Sequence, residues 1–176
     1  IRDSKYSTVI NYSKSKDYAE KLYKDIEKKV DKKYLLLCKA DVSNRKEVNT
    51  MFKKIIKVFG KIDILINNAG LNIDKPFLNL SDNDWQTVIQ VNLTGTFICS
   101  QEFAKCFGNR KNGHIINLGA LTGITGRING ANYCSSKSGV LTLTKCLALE
   151  LSPQIMVNCI IPGHVATEEV ITRYKL

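Results

Sequence analysis

The chain has 176 residues, 44% of them apolar and 24% charged. That is the length of one domain and the composition of a packed globule, not of a disordered chain. No apolar run approaches the roughly 20 residues that cross a bilayer, and the opening IRDSKYSTVI has neither the n-region nor the h-region expected of a secretory leader.

The formal charge is +10, from 26 basic and 16 acidic side chains. It is unevenly placed: residues 1–61 carry 17 Lys/Arg and 8 Asp/Glu, whereas residues 62–176 carry 9 and 8. A nucleic-acid protein would cluster its basic residues with aromatics on one reading surface. Here lysines alternate with acids along KDYAEKLYKDIEKKVDKK, so Lys21, Asp25 and Lys28 read as a solvated helix face. The alternative is attraction for an anionic ligand, such as a phosphorylated cofactor or an acidic carrier protein. The six cysteines (38, 99, 106, 134, 146, 159) form no CxxC pair, and neither His114 nor His164 pairs with one at zinc spacing, so no metal site is expected. Five of the six lie in apolar surroundings, which suggests buried free thiols in a reducing compartment, cytosolic or organelle matrix.

In chain order, YSTVINY (6–12) reads as a strand and 15–31 as a helix. YLLLCKA (34–40) is a second apolar run closed by Asp41. Ser43 with Glu47 suggests a capping box, with a helix to about Val58 that Gly60 stops. IDILINNAG (62–70) is a third strand. A helix follows from about Asp82 to Phe107, then the strand GHIINLGAL (113–121), a helix over 131–151 ended by Pro153, and the strand IMVNCII (155–161), closed by Pro162 and Gly163. Strands without alternation are buried on both faces. Their alternation with helices predicts an α/β fold, a doubly wound parallel sheet with helices on both faces, in a single domain.

Ligands of such sheets bind at the carboxyl ends of the strands. Asp41-Val42, Asn67-Asn68-Ala69-Gly70, Gly119-Ala120 and PGHVAT (162–167) all fall there. Four sites of small residues and amides at one edge point to a nucleotide, since glycine lets the backbone approach a ligand. Tyr133 and Lys137 stand four apart at a helix start and share one face. A phenol of pKa ~10 exchanges protons poorly at neutral pH. A cation one turn away stabilises the phenolate and makes a general acid/base of it.

Together these pieces resemble the short-chain dehydrogenase/reductase family: Asp41-Val42, NNAG at 67–70, VNLTG at 91–95, ANYCSSK at 131–137 and PGHVAT at 162–167, in the family's order and spacing. VINYSKS and GANYCSSKSGVLTLTK are similar to the bacterial 3-oxoacyl-acyl-carrier-protein reductase subgroup. The resemblance implies a Rossmann-type fold and reduction of a carbonyl to a secondary alcohol. The implied substrate is a 3-oxoacyl thioester on acyl carrier protein or coenzyme A, or else another small ketone, sugar or alcohol. It implies that Tyr133 donates the proton, that Lys137 lowers its pKa and holds the nicotinamide ribose, and that Asn92 anchors a water joining Lys137 to solvent. Asp41 and Val42 would flank the adenine, Asn68, Ala69 and Gly70 the adenosine ribose, and Pro162, Gly163, Val165 and Thr167 the nicotinamide. A homotetramer or homodimer through the helices 82–107 and 131–151 is implied too. His164 and Glu168 are exposed loop residues or substrate contacts.

Cofactor choice turns on the end of the first strand, where NAD-specific relatives carry an acid for the ribose 2′-hydroxyl. Here Asn11 is followed by Tyr12, Ser13 and Lys14, so a 2′-phosphate is tolerated and Ser13 and Lys14 can bind it, favouring NADP(H) over NAD(H). Two departures from the family pattern stand out. Its catalytic serine, thirteen residues before the tyrosine, is Ala120, and losing such a donor costs ~10²–10³ in rate. Either Thr122 supplies the hydroxyl if the strand stays regular, or the enzyme runs slowly on Tyr133 alone, or the chain is an NADP(H)-binding sensor. The glycine-rich pyrophosphate turn GxxxGxG is also missing, so the chain reads as a dinucleotide domain incomplete at both ends, expected to bind dinucleotide poorly by itself.

Overall fold

The computed structural model describes residues 6–163; His164, Val165, Thr167 and Glu168 lie outside the described residues. The first unit is the parallel pair β1 (Thr8–Tyr12) and β2 (Leu35–Lys39), joined through helix α1 (Lys16–Glu27). Exposed pairs decorate α1, with Lys16–Glu20 at 3.5 Å and Lys28–Asp25 at 2.9 Å, which is the solvated face read from the charge pattern. Such pairs stabilise by at most about 1 kcal/mol each.

Helix α2 (Arg45–Phe59) starts one residue later than the capping-box reading placed it. Asn44, not Ser43, is the cap: its Oδ1 accepts from the amides of Lys46 and Glu47 at 3.0 and 3.3 Å. Ser43 is unavailable because its hydroxyl donates to Asp41 Oδ1 at 2.7 Å, and asparagine caps as well as serine. Gly60 ends α2 in the left-handed region, φ 77°, its amide bonded to Ile56 O.

Strand β3 (Ile64–Asn67) leads into a helical rod that the periodicity had read as one helix. It is α3 (Asp82–Ile89), a five-residue π-helical turn (Gln90–Thr94) and α4 (Gly95–Phe107). Then come β4 (Gly113–Leu118), a short helix α5 (Thr122–Thr125), α6 (Ala131–Leu151) and β5 (Ile155–Ile160). All strand pairings are parallel, in two sheets of order β1-β2 and β3-β4-β5.

The main core joins both units. Val48, Met51, Phe52 and Ile55 of α2 meet Cys38 of β2, Phe103 and Phe107 of α4, Ile115 of β4 and Val157 of β5. Fully burying each such side chain stabilises by about 1.5–3 kcal/mol. Helices α4 and α6 cover the face of β3-β4-β5 that carries Ile115 and Val157. The opposite face presents Ile64, Ile66, Met156 and Ile160 exposed, so among the described residues this sheet is covered on one face only. The thiols also depart from the sequence reading: all six are free, but only Cys38 and Cys99 are buried, and Cys106 and Cys146 are exposed. Their apolar neighbours in sequence point elsewhere around α4 and α6, because helical neighbours do not share a face. Burial pushes the Cys99 thiol up to about 12.

Candidate active site

The carboxyl ends of β3 and β4 are fixed by a buried polar ladder. Asn67 Nδ2 donates to Asn117 Oδ1 at 2.8 Å and to Ser100 Oγ at 3.0 Å, and Asn117 Nδ2 donates to Thr144 Oγ1 at 2.9 Å. The ladder runs from α4 through both strands to α6 and sets the loops above them.

Asn92, 1% exposed, sits in the π turn. The extra residue of such a turn re-aims a side chain that a regular helix would place elsewhere. Its Oδ1 accepts from Leu71 N at 2.9 Å, and its Nδ2 donates to Leu71 O and to Ser136 Oγ, both at 3.0 Å. The carboxamide thus staples the loop after Asn68, Ala69 and Gly70 to the rod and to α6. A Cβ at Gly70 would lie 3.4 Å from Asn92 Oδ1 and 3.7 Å from Lys137 Nζ. The glycine leaves open a cradle that these two side chains flank.

Lys137 is buried, 6% exposed, and its Nζ donates to Leu118 O at 2.6 Å, at the end of β4. Burial pushes its ammonium below the ordinary lysine value. The same Nζ lies 5.8 Å from the ring centroid of half-buried Tyr133. Arg127 places its guanidinium carbon 5.2 Å from that centroid. Arg127 binds Asp74 through both guanidinium nitrogens at 2.6 Å, and Asn72 Oδ1 at 2.8 Å. Asn132, fully buried, donates to Ile73 O at 3.0 Å, so the loop 71–75 is held directly over the start of α6.

The strand argument for Thr122 does not hold. β4 ends at Leu118, and by Leu121 the backbone is helical, φ −56°, ψ −40°. The period of two that would put Thr122 on the side of Ala120 therefore stops before it. Thr122 opens α5, which packs tightly on α6: a Cβ at Gly123 would meet Ser138 N at 2.9 Å and the Lys137 carbonyl carbon at 3.0 Å.

At the carboxyl ends of β1 and β2, Asn11 Nδ2 donates to Cys38 O at 3.3 Å and Ala40 O at 3.0 Å. A carboxylate there would face two carbonyl oxygens. Lys14 is exposed and Ser13 half-buried, side by side after β1. Asp41 accepts from Ser43 N and Ser43 Oγ, and its own amide donates to Glu47 Oε2 at 2.9 Å. Val42 seats against Gly95, where a Cβ would come within 2.8 Å of its Cγ2. Pro162 and Gly163 follow β5 at the same edge. Val165 and Thr167 lie outside the described residues.

A sequence model of the family described as short chain dehydrogenase matches residues 3–175. The chain belongs to the short-chain dehydrogenase family. It is 34% identical over 169 residues to the 3-oxoacyl-[acyl-carrier-protein] reductase FabG of Staphylococcus epidermidis, spanning 96% of this chain and 68% of that protein. The reductase of the same name from Synechocystis is 36% identical, over 91% of this chain and 64% of its own. The structure is similar to a short-chain dehydrogenase/reductase, titled glucose/ribitol dehydrogenase, from Brucella melitensis. There the TM-score is 0.82 and the identity 26%, over 96% of this chain and 69% of that one. The short-chain dehydrogenase family thus accounts for the α/β, Rossmann-type fold, and the chain is an oxidoreductase by membership.

Three parts of the candidate site escaped the sequence reading. Ser136 joins Asn92 to α6 and donates to Tyr133 O at 2.7 Å. The Leu118 carbonyl holds Lys137. Arg127 and Asp74 are paired across 53 positions. Ser136 lies inside the quoted ANYCSSK and was the one within reach, being three residues from the tyrosine and thus one turn on.

Proposed function

We propose that this protein reduces a carbonyl to a secondary alcohol with NADP(H), its substrate a 3-oxoacyl thioester carried on acyl carrier protein or coenzyme A. The carrying observation is the juxtaposition at the strand ends of a buried lysine and a half-buried tyrosine, Nζ 5.8 Å from the ring centroid, beside the open cradle at Gly70. The names of the similar reductases support the substrate class.

A dinucleotide fits the residues present at both its ends. Gly70 leaves a cradle that a Cβ would fill, and Asn11 carries no charge to repel a 2′-phosphate. Ser13 and Lys14 would hold that phosphate, Asp41 and Val42 the adenine, Asn68, Ala69 and Gly70 the ribose, and Pro162, Gly163, Val165 and Thr167 the nicotinamide end. When bound, the cofactor supplies the hydride equivalent.

The protein's own part is the proton. The Tyr133 hydroxyl gives its proton to the substrate oxygen and becomes phenolate, which the Lys137 cation stabilises. Lys137, its proton loosened by burial, restores the phenol. Asn92 holds the loop that lines the cradle and would anchor a water joining Lys137 to solvent, through which the lysine regains its proton. A homodimer or homotetramer through α4 and α6 is the assembly that goes with this reading.

Ala120 favours a second reading, an NADP(H)-binding sensor of low turnover. NADPH oxidation with an acetoacetyl thioester separates the two. We expect measurable turnover that Ala120→Ser raises, by up to ~10²–10³, and that falls in Thr122→Val if Thr122 is the substitute donor. NADPH binding without oxidation, across a panel of carbonyls, would establish the sensor instead.

A further inference from the structure

We propose that Arg127 is a positioning residue for Tyr133: clamped to Asp74 and Asn72, its guanidinium holds a second cation, besides that of Lys137, against the tyrosine ring. The proposal deepens the reading of Tyr133 as proton donor and rests on it.

The geometry is that of a built clamp. Arg127 meets Asp74 through the two parallel bonds that a guanidinium and a carboxylate make best, both at 2.6 Å. A third bond reaches Asn72 at 2.8 Å. The pair is mostly covered, with side-chain exposures of 18% and 25%, so it is screened less than a surface pair. Its stem folds over Gly130, where a Cβ would lie 2.7 Å from Arg127 Cγ, so any other residue there would push the arginine away. Independent bonds lock the same two loops together: Lys75 N donates to Asn129 O at 3.1 Å, and Asn132 Nδ2 to Ile73 O at 3.0 Å. The loops therefore stay together without Arg127, and its particular contribution is the cation on the ring at 5.2 Å. Cation–ring contacts within about 6 Å are attractive, and a cation near a phenol favours the phenolate.

The charges around Tyr133 set the sign of the test. Lys137 lies on its own helix, and Cys159 of β5 stands near that lysine. Arg127 comes from the loop before α6, and Asp74 from the loop after β3, joined to the guanidinium. Asp84 of α3 is already bound to Lys75 at 2.6 Å. Removing Arg127 deletes a cation beside the ring, so the phenol becomes harder to ionise. Removing the charge of Asp74 deletes an anion from the same neighbourhood, so ionisation becomes easier. A purely structural clamp would move both variants the same way.

The test is a spectroscopic titration of the tyrosines in the whole protein, with Tyr133→Phe as the blank that isolates the Tyr133 signal. Arg127→Gln should move that titration up by about one pH unit. Asp74→Asn should move it down, and Arg127→Lys should stay near the wild type. Circular dichroism checks that each variant is folded. An unchanged titration in folded Arg127→Gln, or shifts of the same sign in Arg127→Gln and Asp74→Asn, would overturn the proposal. Because the readout is not activity, the two ideas fail separately. A protein that reduces no carbonyl yet shows the opposite shifts loses the proposed reaction and keeps this clamp. One that reduces carbonyls through Tyr133 but shows no shifts loses only the clamp.

Discussion

Asn11 shows how one side chain can serve two purposes. Its amide donates to the carbonyls of Cys38 and Ala40, tying the end of β1 to the end of β2. Aspartate is nearly the same shape but has no proton to give. Asn11→Asp should therefore destabilise the fold by about 0.5–1.5 kcal/mol, the net contribution of the lost hydrogen bonding at an exposed position, and should also weaken NADPH against NADH. Urea unfolding and cofactor titration read these separately; a variant as stable as the wild type would show that the amide does not hold the two strands. Sequence alone could name Asn11 as the position that decides cofactor charge, but not its bonds, because the partners lie 27 and 29 residues away. Tyr133 and Lys137 were legible for the opposite reason: one helix sets their separation. Arg127 was not, since it meets Asp74 across two loops whose approach no local pattern encodes.

The elements divide by the same rule. Strands and long helices follow from periodicity, whereas the π turn hides inside it: QVNLT reads as ordinary helix, and only the tie from Asn92 to Leu71 shows why the rod must bulge. Likewise the strand read over 113–121 overran β4, which ends at Leu118, and α5 went unread. Its close seat on α6 makes a prediction. A Cβ at Gly123 meets backbone atoms that cannot yield, while a Cβ at Gly139 meets the tip of Leu93 at 2.7 Å, which can. Gly123→Ala should cost about 1–3 kcal/mol. Gly139→Ala should cost little, because alanine regains up to about 1 kcal/mol of helix propensity. Equal urea midpoints for the two variants would contradict this packing.

The start of α3 makes a pH prediction. Ser81 and Asp84 form a reciprocal capping box, and Lys75 donates to Asp84 at 2.6 Å. The Lys75 bond, with those from Ser81, holds the Asp84 carboxyl at about 2 instead of 3.8. A folded-state value below the unfolded one means stabilisation that is complete above pH 3.8 and lost as pH falls through about 2. Asp84→Asn should flatten the acid limb of thermal stability over that window. An acid limb identical to the wild type's would show that Asp84 carries none of it.

At the scale of the molecule, charge and architecture separate cleanly. Among residues 1–61, Lys16, Lys28, Lys32 and Lys33 lie on exposed surface and pair with nearby acids. Ser13 and Lys14 follow β1, where the proposed 2′-phosphate would be held. The alternation of strands and helices was enough to predict a parallel α/β fold. It could not predict that the described strands would form two sheets, or that one face of β3-β4-β5 would stand open, because pairing partners and cover come from long-range contacts. Everything proposed for function converges on the phenol at the start of α6. Steady-state NADPH oxidation with an acetoacetyl thioester, for the wild type against Tyr133→Phe, tests it most directly. The account predicts a loss of ~10²–10⁴ in kcat, the contribution of a general acid, with NADPH still bound; an unchanged kcat would contradict it.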